Sequence, residues 1–60
     1  MKRGELIRQL ERHGCVLLRH GGRHDIYHNP TNGKKQPFPR HSEIDNLLAR
    51  HIKKYLGVPE

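Results

Sequence analysis

Two adjacent glycines, Gly21 and Gly22, constrain this chain more than any other feature, because β-prone runs flank them on both sides. Residues 15–20 (CVLLRH) precede the pair and residues 23–28 (RHDIYH) follow it. Glycine allows the tight reversals that other residues resist, and short apolar or alternating runs bounded by glycine are typical of strands. The sequence therefore predicts two antiparallel strands joined at this turn, with His24 at the entrance of the second.

The second strand leads into a further hairpin. Its side chains alternate, so Ile26 shares a face with His24 and His28 while Asp25 and Tyr27 point the other way. Residues 29–33 (NPTNG) combine proline and Asn-Gly turn chemistry. A third strand is predicted over residues 34–38. Because Pro37 cannot donate a ladder hydrogen bond, this strand is either at a sheet edge or loses its pairing at Pro37.

One-sided helices are predicted at both ends of the strand region. Residues 4–13 place Leu6, Ile7 and Leu10 at helical spacing, and Gly14 is a suitable end. Ser42 followed by Asp45 resembles a capping box that opens the second helix. The apolar stripe predicted for that helix is Ile44, Leu47, Leu48, Ile52, Tyr55 and Leu56. The residues expected away from the stripe are Arg50, Lys53 and Lys54.

The element order helix–strand–strand–strand–helix predicts an α+β fold. A three-stranded antiparallel sheet with both helices on one face would bury both stripes and leave the other sheet face to solvent. Double-stranded-RNA-binding domains have this α-β-β-β-α order. With 60 residues, the chain is expected to form a single domain over residues 1–60 without room for a deep substrate cavity.

The charge balance points to an anionic partner. Twelve Lys and Arg residues against six Asp and Glu residues give a net charge of +6, which favours nucleic acid, an anionic membrane or an acidic protein. No apolar run approaches the roughly 18 residues of a membrane span, and no signal-peptide pattern opens the chain. Cys15 has no partner for a disulfide and is expected to be buried. We therefore expect a cytoplasmic protein that does not bind membranes.

Six histidines make a metal site worth testing against the predicted strands. His24 and His28 on one strand would be about 13 Å apart at roughly 3.3 Å per residue, too far to share a zinc ion. No metal or cofactor is therefore expected. Arg40 and His41 precede the predicted second helix, whose N-terminus could bind phosphate. Arg19 and Arg23 are near His24 in sequence. On this basis alone, His24 is either a proton-transfer residue or an ordinary exposed side chain.

Three segments in order resemble the HicA toxin family of bacterial toxin–antitoxin systems, small ribonucleases that act on mRNA. Residues 5–10 (ELIRQL) with Gly14 are similar to the family's first helix. Residues 19–27 (RHGGRHDIY) are similar to its central motif, and residues 38–42 (FPRHS) to the run before its last helix. Two departures are Arg23, where serine or glycine is commoner, and residues 45–47 (DNL), which replace a glycine-containing step.

The resemblance implies that His24 is the catalytic residue, that mRNA is the substrate and that a HicB-like antitoxin masks the active face. RNA supplies its own nucleophile, the 2′-hydroxyl, so a metal-independent nuclease needs a base, an acid and cations for the phosphate. His28, His41 or water could complete the acid–base pair with His24. The candidate RNA-binding residues are Arg19, Arg23, Lys34, Lys35, Arg40 and His41.

Two other functions remain open from the sequence. One is a non-catalytic module that binds RNA or DNA through its basic surface and is neutralised by an acidic protein partner. The other is an interaction module that folds stably only when such a partner covers it. Strong salt dependence of binding without cleavage products would indicate the first.

Overall fold

The computed structural model describes residues 1–59 as two helices and one sheet. The elements are α1 (Arg3–Arg12), β1 (Val16–His20), β2 (His24–Asn29), β3 (Lys34–Pro39) and α2 (Asn46–Leu56). The strands form an antiparallel sheet in the order β1-β2-β3. The predicted α+β fold, with the order of a double-stranded-RNA-binding domain and the proline-containing strand at an edge, is confirmed.

Alternating burial along β2 shows which face of the sheet the helices cover. Asp25, Tyr27 and Asn29 are buried, whereas His24 is exposed and Ile26 is half-buried. This period of two is that of a strand with one face on the core and the other toward solvent. We call the side of His24, Ile26 and His28 the open face.

The core lies between the helix side of the sheet and the two helices. Tyr27 and Phe38 pack with their ring centroids 4.9 Å apart, in a tilted arrangement that aromatic pairs favour. Cys15 is fully buried, as predicted, and burial raises the pKa of its thiol. The largest fully buried side chains are Phe38, Leu6, Leu10, Ile44, Ile52, Leu56 and Cys15.

The second hairpin is closed by the turn chemistry that the sequence predicts. The Asn29 carbonyl accepts the Gly33 N–H at 2.8 Å, and the Asn29 side chain accepts the Thr31 N–H at 3.0 Å. Gly33 has φ of 73°, a left-handed conformation that favours glycine. This turn fixes the register in which Lys34 pairs with Asn29.

The predicted start of α2 is wrong. The helix begins at Asn46, and its cap is Asp45, whose carboxylate accepts the N–H groups of Leu47 and Leu48 at 3.0 and 3.3 Å. Ser42 cannot cap a helix, because its carbonyl accepts the Arg3 N–H at 3.0 Å in an extended pairing. That pairing includes a bridge between Lys2 and Glu43 and keeps the chain non-helical as far as Asp45.

The buried stripe of α2 also differs from the prediction. Its buried residues are Ala49, Ile52, Lys53 and Leu56. Leu47 is 73% exposed, because it lies two residues before Ala49 and therefore about 200° around the helix. Lys53 was expected to face away, but its stem is buried and its Nζ donates to Gln9 Oε1 at 3.2 Å. Neither helix in the described part of the chain is long and apolar enough to span a membrane.

Candidate active site

The turn at Gly21 and Gly22 sets the position of His24. The Gly21 N–H donates to the His24 carbonyl at 2.7 Å, which closes the turn at the first residue of β2. A Cβ atom on residue 21 would lie 2.5 Å from that carbonyl oxygen, whereas nothing lies within 4 Å of a Cβ on residue 22. Only glycine at position 21 therefore permits this approach of the backbone to His24.

The His24 side chain is exposed on the open face, at the end of the central strand. Its Cα partner in β3 is Pro39. Among residues 1–59, the imidazole has neither a hydrogen bond nor an ion pair with another side chain. The ring is therefore accessible to a ligand from solvent, as the nuclease hypothesis requires.

Two predicted RNA-binding residues share the open face with His24. Arg19 in β1 is the partner of Ile26, and Lys35 in β3 is the partner of His28. Side chains directly opposite each other in an antiparallel pair lie on the same face. Both cations are exposed, so the open face carries positive charge on each side of β2.

The other predicted RNA-binding residues lie elsewhere. Arg23 is exposed in the turn before β2, and His41 is exposed in the connection between β3 and α2. Lys34 lies on the helix side of the sheet, where its Nζ is 5.1 Å from the centre of the Tyr55 ring. Neither Arg40 nor His41 is at the N-terminus of α2, since the helix begins five residues after His41. The helix N-terminus therefore gives no support for phosphate binding by these two residues, and their RNA-binding role stays a prediction.

Asp25 holds the elements around the turn together. Its side chain is 7% exposed, and Arg3 Nη2 donates to its Oδ2 at 2.7 Å. Its Oδ1 lies 2.9 Å from Arg40 Nε and 2.8 Å from His20 Nδ1. This carboxylate therefore links α1, the end of β1 and the segment after β3.

Arg40 extends this network to the turn itself. Its Nη2 donates to the Gly21 carbonyl at 2.6 Å, and its Nη1 donates to the Gly22 carbonyl at 3.4 Å. Two sets of hydrogen bonds thus hold the turn. One joins the Gly21 N–H to the His24 carbonyl, and the other joins the Arg40 guanidinium to the Gly21 and Gly22 carbonyls. Because Arg40 is itself fixed by Asp25, the network positions the turn that carries His24.

The hydrogen bonds that Asp25 accepts keep its carboxylate ionised. The hydrogen bond with His20, followed by the hydrogen bond and positive charge of Arg40, lowers the pKa of Asp25 below its ordinary value, against the opposing effect of burial. The sequence motifs did not indicate a role for this residue. The available signal was that Asp25 is the single acidic residue between Glu11 and Glu43, in a segment rich in arginine and histidine.

The site is a surface rather than a cavity. The described residues contain no cluster of three His, Cys, Asp or Glu side chains close enough to bind a metal ion. A cleft of about 400 Å³ does occur, but it is lined by Lys34, His51, Lys54, Tyr55 and Gly57 at the other end of the sheet. The arrangement at His24 suits a substrate that is bound from outside, such as a polymer.

Similarity to a protein family identifies the kind of protein that has this arrangement. The family model described as "HicA toxin of bacterial toxin-antitoxin" matches residues 3–58, which is nearly the whole chain. The chain belongs to the HicA toxin family. Membership identifies it as a toxin of a toxin–antitoxin system, so an antitoxin partner is implied. No curated protein and no solved structure matches the chain significantly.

Proposed function

We propose that this HicA-family chain is a metal-independent endoribonuclease that cleaves mRNA, with His24 as the catalytic acid or base. The observation that carries the proposal is the exposed His24 imidazole on the open face, at the end of the central strand and between strands that bear Arg19 and Lys35. A shallow cationic face accepts a polyanion from outside, and a histidine can transfer protons near neutral pH.

The reaction follows from the chemistry of RNA. A base removes the proton of a ribose 2′-hydroxyl, and the resulting oxygen attacks the adjacent phosphorus. The bond from phosphorus to the 5′ oxygen of the next nucleotide breaks, and an acid protonates that oxygen. The products are a 2′,3′-cyclic phosphate and a 5′-hydroxyl, so no external nucleophile is consumed. His24 performs one of the two proton transfers.

His41 is better placed than His28 for the second proton transfer. His28 is four residues from His24 on the same strand, about 13 Å away at roughly 3.3 Å per residue. His41 follows Pro39 by only two residues, and Pro39 is the Cα partner of His24. His41 is therefore within two residues of the strand partner of His24, whereas His28 is separated from His24 by more than the length of one nucleotide.

Cations of the open face would bind the phosphates on either side of the cleaved bond. Arg19 and Lys35 lie on that face, and Arg23 is exposed in the turn next to His24. Arg40 binds Asp25 and the turn carbonyls, so any contact that it makes with RNA uses the exposed part of its guanidinium. Charge neutralisation at these positions stabilises the crowded phosphorane.

A HicB-like antitoxin would inhibit the toxin by covering the open face. β1 is an edge strand, and its residues Val16, Leu17 and Leu18 are 40–45% exposed. Such an edge can pair with a strand of another chain, and the apolar side chains add area to an interface. A partner docked there would keep RNA away from Arg19 and His24.

The test is cleavage of an end-labelled single-stranded RNA by the wild type and by His24→Ala, with His28→Ala as the matched control. We expect His24→Ala to lose at least about a hundredfold in rate, the usual contribution of an acid or base, with unchanged circular dichroism. His28→Ala should retain activity. A 2′-deoxy substitution at the cleaved position should block the reaction, and excess EDTA should not.

Three results would contradict parts of this proposal. Full activity of folded His24→Ala would remove the assigned role of His24, and a strict metal requirement would overturn the metal-independent mechanism. Salt-dependent RNA binding by the wild type, with no cleavage product at all, would instead indicate a non-catalytic binder.

A further inference from the structure

A second cluster of cations and aromatic rings lies at the end of the sheet opposite His24. Lys34, His51, Lys54, Tyr55 and Gly57 line a cleft of about 400 Å³, which we call the hairpin cleft. Three of these residues are basic and none is acidic. Nothing in the proposed catalytic reaction uses them, since Lys34 pairs with Asn29, five residues from His24 along β2. Asn29 is therefore about 17 Å from His24, at roughly 3.3 Å per residue.

Tyr55 is the centre of the hairpin cleft. Its side chain is 45% exposed. A tyrosine that only contributed to the hydrophobic core would have a buried ring. The Nζ of Lys34 lies 5.1 Å from the ring centre, and the His51 ring is nearly parallel at 6.4 Å between centroids. The result is a half-exposed aromatic ring with a cation over one of its faces.

The hairpin cleft is held in place by contacts between α2 and the second hairpin. The Leu56 carbonyl accepts hydrogen bonds from Asn29 Nδ2 at 2.8 Å and from Asn32 Nδ2 at 3.2 Å. These bonds satisfy a carbonyl at the C-terminus of α2, whose partial negative charge would otherwise repel an anion. They also fix the start of β3, and therefore Lys34, next to Tyr55.

We propose that the hairpin cleft is an RNA-binding subsite, in which a nucleobase stacks on Tyr55 and the adjoining phosphate is bound by Lys34 and Lys54. Proteins that bind single-stranded RNA combine exposed aromatic rings with cations along the backbone path, and the volume is within the range of small-molecule sites. The inference rests on the proposed function, because it assigns a second contact to the same RNA. That RNA passes around the β3 edge from the open face and spans several nucleotides.

The first experiment measures binding apart from chemistry. In the inactive His24→Ala background, fluorescence anisotropy with a labelled 12-nucleotide single-stranded RNA at one fixed salt concentration gives the Kd. We expect Tyr55→Leu to weaken binding between about fivefold and about a hundredfold, and Tyr55→Phe to retain it, because stacking needs the ring and not the hydroxyl. Leu47→Ser, an exposed position on the same helix, is the matched control and should bind as its parent does.

The second experiment uses the active enzyme and separates this subsite from the catalytic site. With His24 intact, Tyr55→Leu should raise KM for the 12-nucleotide RNA and leave kcat unchanged, since the hairpin cleft is remote from the cleaved bond. A substrate of two nucleotides cannot span about 17 Å and should be cleaved equally by both proteins.

Several results would overturn the subsite. These are an unchanged Kd for folded Tyr55→Leu, a Tyr55→Phe variant as weak as Tyr55→Leu, or a loss of binding in Leu47→Ser of the same size. If Tyr55→Leu does not fold, NMR of the His24→Ala chain replaces it: the ring signals of Tyr55 and His51 must shift as RNA is added. Shifts with an acidic peptide but not with RNA would identify a protein contact instead. If the wild type does not cleave RNA, the proposed function is contradicted. If substitution of Tyr55 does not change RNA binding, only the subsite is contradicted.

Discussion

Replacing Gly21 by alanine should displace His24 without touching its side chain. The added Cβ would lie 2.5 Å from the His24 carbonyl oxygen, and real Cβ atoms essentially never approach closer than 3.0 Å. The backbone must therefore open by at least about 0.5 Å. The same movement lengthens the 2.7 Å hydrogen bond from the Gly21 N–H to that oxygen.

The expected effects are a small loss of stability and a larger loss of the proposed RNA cleavage. Weakening one hydrogen bond costs about 1 kcal/mol, which lowers the Tm of a domain of this size by about 4–8 °C. A misplacement of about 1 Å at a reacting group can cost a hundredfold in rate, so about half that displacement should lower kcat/KM roughly tenfold.

Gly22→Ala is the matched control for this prediction. No atom lies within 4 Å of a Cβ at position 22, and Gly22 does not have positive φ. The variant should therefore have the activity and the Tm of the wild type. The assays are kcat/KM on a labelled RNA and thermal unfolding followed by circular dichroism. Equal losses in the two variants would refute the reasoning, because they would show that the turn does not require a close approach at Gly21.

Two further predictions concern the carboxylates of Asp25 and Asp45. The lowered pKa of Asp25 means that its ionised form stabilises the folded state above the ordinary pKa of 3.8, and that this contribution is lost as the pH falls through 3.8 toward the folded-state value. The difference in Tm between the wild type and Asp25→Asn should accordingly shrink between pH 6 and pH 3, and a constant difference would contradict the role of the charge. Removal of the α2 cap by Asp45→Ala should destabilise the chain by about 1 kcal/mol, while Asp45→Asn should lose much less; equal Tm values for wild type and Asp45→Ala would show that the cap does not matter.

The local sequence was sufficient to predict the hairpin region. Glycine at positions 21 and 22, the NPTNG turn and Pro37 each act within a few residues, so the strand order and the edge position of β3 follow from them. The alternation that places His24 and Asp25 on opposite faces of the sheet is also local, since it depends only on the period of a strand.

The start of α2 could not be predicted in this way, because a distant segment decides it. The Ser42 to Asp45 pattern satisfies the capping rule, yet the bridge between Lys2 and Glu43 keeps these residues extended. The competing interaction is more than 40 residues away in sequence, and a capping rule considers only four. Asp45 then became the cap because it is the next residue with a suitable carboxylate.

The network around Asp25 was missed for a related reason. Alternation predicts that Asp25 faces away from His24, but not that Arg3, His20 and Arg40 meet on one carboxylate. His20 is the β1 partner of Asp25, and Arg40 follows β3, so the sheet register brings both to the carboxylate. Arg3 comes from α1, which is distant from Asp25 in sequence. Arg40, expected at a helix N-terminus, instead binds the turn carbonyls, because it follows Pro39, the strand partner of His24.

The prolines of β3 make the two edges of the sheet unequal. Pro37 and Pro39 lack the N–H groups that an added strand would need, whereas β1 has no proline along Val16–His20. A sheet that accepts a neighbour along one side only can form closed pairs, but it cannot propagate into a fibre. An excess of folded toxin over its partner should therefore assemble no further than pairs of sheets joined at β1.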